Sequence, residues 1–179
     1  MRHLVKPFLL LGCLLALGWL AACSMFPPAP LATAARPAGP TPAQMVASIR
    51  AAGARENSVI AVNPLRDPGV AVLRDEARRN ELAGHYVEAG NELDQALKLN
   101  PDAPDLLQDR AEIAVRLRHF ATAERLARRS WSLGPKLGPL CARNWQTIVE
   151  MRLQAGDQPG AANARHQVGQ CHEAGITRY

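Results

Sequence analysis

The feature that most constrains this chain is a self-similarity with a period of 34 residues. Gly84-His85-Tyr86-Val87-Glu88-Ala89, followed by Ala96, Leu97 and Pro101, recurs as Arg118-His119-Phe120-Ala121-Thr122-Ala123, followed by Ser130, Trp131 and Pro135. A repeat of this length is one supersecondary unit that buries its apolar face only against its neighbours, so it implies a stacked array. Small residues at Ala77, Ala89, Ala96, Ala111, Ala123 and Ser130 let two antiparallel helices approach closely, while Tyr86 and Phe120 fill the space at the turn between them. Pro101 and Pro135 end the second helix of each unit. Pro104, preceded by Asp102 or Ala103, suits a helix start.

In spacing and residue type the chain resembles the tetratricopeptide repeat (TPR) family from about Val70 to Ala174. A third, weaker copy is recognisable: Trp145 falls where the family prefers a large residue, Gly156-Asp157 makes the turn, and Ala161 matches Ala89 and Ala123. The distance from Pro135 to Gly156 exceeds that from Pro101 to Arg118 by four residues, an excess placed in the doubled Leu-Gly-Pro linker from Leu133 to Pro139. Val149 stands where the family prefers a very small residue. The resemblance implies an all-α fold, a short α-solenoid of about three TPR-like helix pairs. Helices are expected over 69–83, 86–99, 103–117, 120–133, 139–155 and 159–173, with no strand of substance. Only Gly175-Ile176-Thr177-Arg178-Tyr179 follows, where the family often adds a capping helix, so the last face is expected to be polar or covered by a partner.

The N-terminus reads as an address. Met1 to Pro7 is positive through Arg2 and Lys6, and the uncharged run Phe8 to Ala22 is shorter than the roughly 20 residues a membrane-spanning helix needs, which is the layout of a secretory signal. Leu20-Ala21-Ala22-Cys23 resembles the lipobox of bacterial lipoproteins, which implies cleavage before Cys23 and attachment of lipid, palmitate among it, to that residue. Several acyl chains make a stable anchor where one binds reversibly. Ser24 stands where an Asp favours inner-membrane retention in those lipoproteins, so the analogy implies an outer-membrane location on the periplasmic face. Cys13 is read as a small hydrophobe of the signal. Six prolines between Pro27 and Pro42 describe an extended tether able to hold the domain up to roughly 50 Å from the bilayer. The expected organisation is a signal peptide over 1–22, a lipid-anchored Pro-rich tether over 23–42, a strap or short helix over 43–68, a TPR-like domain over 69–174 and a tail over 175–179. Across the boundary of the second and third pieces, Thr41 to Ala52 suits a short helix with Met45, Val46 and Ile49 on one face, and Ser58 to Pro68 an extended strap.

Composition narrows the chemistry. Aromatics are 4% of residues, which disfavours a nucleic-acid reader built on stacking platforms. The formal net charge of +5 falls to +3 once Arg2 and Lys6 leave with the signal, too little to imply polyanion binding. Cys141 and Cys171 remain as an even pair in an oxidising compartment, at adjacent ends of two paired helices in the repeat reading, so a disulfide is expected. A zinc site with His166 and His172 is the weaker alternative, because the paired ligand spacing of such sites is lacking. His85 and His119 occupy one repeat position and read as structural or solvent-facing. No nucleophile motif is present, so no catalytic residue, no metal and no cofactor beyond the lipid on Cys23 are assigned. Asp75, Asp94, Asp109 and Glu124 read as solvated faces, as does Arg125-Leu126-Ala127-Arg128-Arg129.

In the resembling family the first helix of each unit lines a concave groove that holds a peptide or helix. Carried to this chain, that implies a partner-binding groove of Arg74 and Arg78, then Gln108, Glu112 and Arg116, then Arg143, Gln146 and Glu150, with arginine dominant and suited to clamping carboxylates. The function expected from these readings is a non-catalytic, protein-binding lipoprotein adaptor in envelope, secretion or pilus assembly. The alternative is an accessory regulator of a peptidoglycan enzyme. The partner is a protein or peptide of the envelope, with no nucleic acid.

Overall fold

The structure, a computed structural model, describes residues 39–56 and 67–172. The expectations for the signal, for Cys23 and most of the tether, for residues 57–66 of the strap and for the tail lie outside the described residues. Among the described residues the fold is all helical: α1 (Pro42–Arg55), α2 (Pro68–Ala83), α3 (Tyr86–Leu99), α4 (Pro104–Arg116), α5 (Phe120–Leu133), α6 (Gly138–Gln154) and α7 (Gln158–Gln170).

Local chemistry sets the starts. The Thr41 hydroxyl accepts from the Gln44 N–H while the Gln44 side chain accepts from the Thr41 N–H, a reciprocal cap that opens α1 with Pro42 in its first turn. Asp67 accepts from the Gly69 N–H at 2.7 Å and Pro68 follows, so the last two residues expected in an extended strap instead begin α2. Asp157 caps α7 through the Gly160 N–H at 2.9 Å. The turns inside each unit share a left-handed residue, Gly84 (φ 83°), Arg118 (φ 61°) and Gly156 (φ 76°). Gly84 and Gly156 have open space where a Cβ would be, so conformation explains them, and Arg118 adopts the same conformation at a steric cost.

The helices pair as α2/α3, α4/α5 and α6/α7, and successive pairs stack. Val70, Ala77, Ala89, Leu93, Ala96, Leu106 and Ile113 pack the first pair onto α4. Ala111, Ala127, Ile148, Val149 and Ala164 join the second pair to the third. Val149 is fully buried there, so the third unit closes around a larger residue than the family prefers. Trp131 and Trp145 meet edge to face at 5.2 Å, and the Ser130 hydroxyl donates to the Pro104 carbonyl at 2.6 Å. Cys141 and Cys171 form a disulfide with Cα atoms 5.6 Å apart, tying the start of α6 to the end of α7.

Candidate functional site: a groove filled from within

The first helices of the three units, α2, α4 and α6, should line an open concavity. They do not, because α1 lies along α6 and against α4. Met45, Val46 and Ile49 are buried among Ala114, Val115, Ala123 and Met151, with Phe120 beside them. Ala52 packs with Ala142 on the disulfide. At Gly53 a Cβ would sit 2.7 Å from the Arg143 side chain and 3.0 Å from the Pro139 carbonyl, so a glycine permits the close crossing of α1 over α6.

This placement corrects the expected groove. Gln108 and Glu112, assigned to an exposed binding surface, are both 0% exposed, because α1 covers the portion of the groove that α4 and α6 line. The Glu112 carboxylate accepts from Arg50 Nε of α1 at 2.7 Å, from Arg143 Nη2 at 2.6 Å and from Gln108 Nε2 at 3.1 Å. Gln108 also donates to the Thr147 hydroxyl at 2.9 Å. Arg50 reaches Glu81 of α2 at 2.7 Å, Arg143 reaches Asp109 at 2.9 Å, and Arg74 bridges Asp109 and Asp105 at 2.7 and 2.9 Å. Carboxylates on α2 and α4 are thus tied to arginines on α1, α2 and α6. Burial works against the charge on Arg143, yet Glu112 and Asp109 outweigh it and raise its pKa above the ordinary arginine value. Burial likewise opposes the charge on Arg50, and Glu81 and Glu112 raise its pKa.

The remaining expected groove residues separate. Arg116 stacks over the Tyr86 ring at 5.6 Å and pairs with Glu81 at 3.5 Å. Gln146 donates to Glu150 at 2.8 Å, and neither side chain lines the space left open. That space is a cleft of about 810 Å³ between α1, α2 and α4, reaching the start of α6. Arg74, Arg78 and Arg143 do meet there, with Ala77, Leu93 and Ile113 as its apolar base. Asp75, Arg78 and Leu82 of α2 are exposed on its rim, as are Arg50 and Ala54 of α1, and Leu82 is 81% exposed. His85 and His119 are exposed at the starts of α3 and α5, and His166 is exposed. His172 faces Glu56 at 3.1 Å. The sequence pattern held one sign of what α1 does: apolar residues at 45, 46, 49 and 52, then a glycine where two helices touch.

The fold and the groove together define a class, a short TPR-like solenoid of helix pairs whose concavity is built to hold a helix and here holds one of its own. No family model matches the chain, and no curated protein matches it by sequence. Among solved structures it is similar to the globular C-terminal domain of P. aeruginosa LpoP, with 28% identity and a TM-score of 0.55. The match covers 59% of this chain and 99% of that one.

Proposed function

We propose that this protein is a non-catalytic lipoprotein, anchored in the outer membrane through lipid on Cys23, whose helical domain binds and regulates a peptidoglycan synthase. The observation that carries the reading is the likeness to the LpoP domain, which spans 99% of that domain at 28% identity. It favours the accessory regulator over the secretion or pilus adaptor. Two further features support it. The buried and half-buried charged side chains of the groove, Glu112, Asp109, Arg74 and Arg143, are tied up in internal ion pairs, which suits holding a shape more than doing acid–base work. The Leu20-Ala21-Ala22-Cys23 segment resembles a lipobox, and among the described residues no helix is long and apolar enough to cross a membrane. On this reading the partner docks at the cleft α1 leaves open, against Arg78, Asp75 and Leu82. The test is glycan polymerisation by the purified synthase of the same envelope, with and without the mature lipoprotein. Saturable stimulation is expected. An unchanged rate, with the lipoprotein instead recovered on pore or pilus subunits, returns the adaptor role.

A further inference from the structure

The small net charge of the chain conceals a polarisation that the stacking makes spatial. Residues 67–117, which hold α2, α3 and α4, carry six basic against eleven acidic side chains. Residues 118–172, which hold α5, α6 and α7, carry eight basic against three acidic. One end of the solenoid is therefore negative and the other positive.

The positive excess is on the outside. Arg143 is spent on Asp109 and Glu112, and Arg152 pairs with Glu124 and Asp157. Arg128 shares that same Glu124, and Arg129 pairs with the exposed Asp102. Arg118, Arg125 and Arg165 are exposed and have no carboxylate partner among the described residues; Arg125 meets only the Thr122 hydroxyl. The remaining acid of this half, Glu150, is buried on α6. α5 and α7 are the second helices of their units and pack chiefly against α4 and α6.

Two classes of partner fit exposed arginines. Specific protein interfaces add large apolar or aromatic anchors at their centres. The large exposed aliphatic residues are concentrated at the negative end, where Val72, Leu82, Val87 and Leu99 are each more than half exposed. α7 offers none, and α5 offers only Leu133, its last residue. Arginines without such anchors attract through a smeared field, which is how basic surfaces meet anionic lipid headgroups. The lipid anchor proposed on Cys23 keeps the domain within a tether's length of such a surface.

We infer that the exposed face of α5 and α7, through Arg118, Arg125 and Arg165 with Arg128 and Arg129, rests on an anionic phospholipid leaflet and turns the negative, aliphatic end of the solenoid away from the membrane. The inference rests on the lipid anchor and is independent of which protein is the partner.

The experiment uses the full lipidated chain in vesicles of phosphatidylcholine alone or mixed equally with phosphatidylglycerol. Arginines are modified with phenylglyoxal and mapped by mass spectrometry. In the anionic vesicles at about 0.05 M salt, labelling of Arg118, Arg125 and Arg165 should fall about threefold or more, and recover at about 0.5 M, where the screening length shrinks to a few ångströms. Arg78 and Arg79 of the negative end serve as internal references and should label alike in both vesicles. The paired substitution Arg125→Glu and Arg165→Glu, checked for unchanged helicity, should remove the difference at Arg118. Equal labelling in both vesicles overturns the inference, as does a fall that includes Arg78 and Arg79. Protection that arises only when a purified synthase is added assigns this face to the protein. A chain not retained on phosphatidylcholine vesicles refutes the anchor instead.

Discussion

Glu112 is the residue on which the interior of the groove depends. A fully buried carboxylate is costly unless every lone pair is used, and here Arg50, Arg143 and Gln108 use them. Replacing it, Glu112→Ala, removes the carboxylate that Arg50, Arg143 and Gln108 share, leaves Arg143 only Asp109 as its ion-pair partner, and should lower stability by about 3 kcal/mol in urea denaturation. A loss below about 1 kcal/mol would mean that water replaces the carboxylate freely. Asp157 offers a pH-dependent counterpart. The Gly160 N–H, and then Arg152, hold its carboxyl below the ordinary aspartate value. A depressed folded pKa stabilises the fold above the unfolded value of about 4 and ceases to do so as pH falls through the folded one. Asp157→Ala should therefore melt below the wild type at pH 7, with the gap closing on acidification below about pH 4. Circular dichroism melts at both pH values check it, and a gap that stays constant would assign the effect to packing alone. The role of Glu112 was not legible in the sequence, because a polar letter at a groove-lining repeat position reads as exposed until the element that covers it is known.

The helices of the three pairs were legible because each carries its packing in its own letters. Ala89, Ala96 and Ala123 sit where helices cross, and Pro101 ends a helix. All six observed helices of the repeats begin within one residue of the expected positions. The position of α1 was not legible, since it depends on the shape that α4 and α6 jointly present, and its ion pair from Arg50 to Glu112 spans 62 positions. The disulfide joins the two kinds of element. It closes 30 residues of α6 and α7, and Ala52 of α1 rests on it. Replacing both cysteines with serine should cost on the order of 3 kcal/mol, seen as a lower melting temperature in calorimetry. The loss should be accompanied by faster amide exchange in α1 as well as at the end of α7. Exchange unchanged in α1 would show that its docking does not depend on the bridge.

At the scale of the whole molecule the architecture divides tasks along its length. A concavity filled by α1 gives a fixed shape in which Arg78 and Leu82 remain available at the first unit, and the positive half faces elsewhere. A protein whose groove is closed by its own helix is expected to meet a partner with a preformed surface, at a low ordering cost. The direct measurement is a calorimetric titration of the purified peptidoglycan synthase with the mature chain, alongside the variant Arg78→Glu with Leu82→Asp. The account predicts saturable one-to-one binding by the wild type and an affinity at least about tenfold lower for the variant, equal to 1.4 kcal/mol, with helicity unchanged. Equal binding by the two would move the docking surface away from the open cleft, and no heat of binding with either would contradict the proposed function itself.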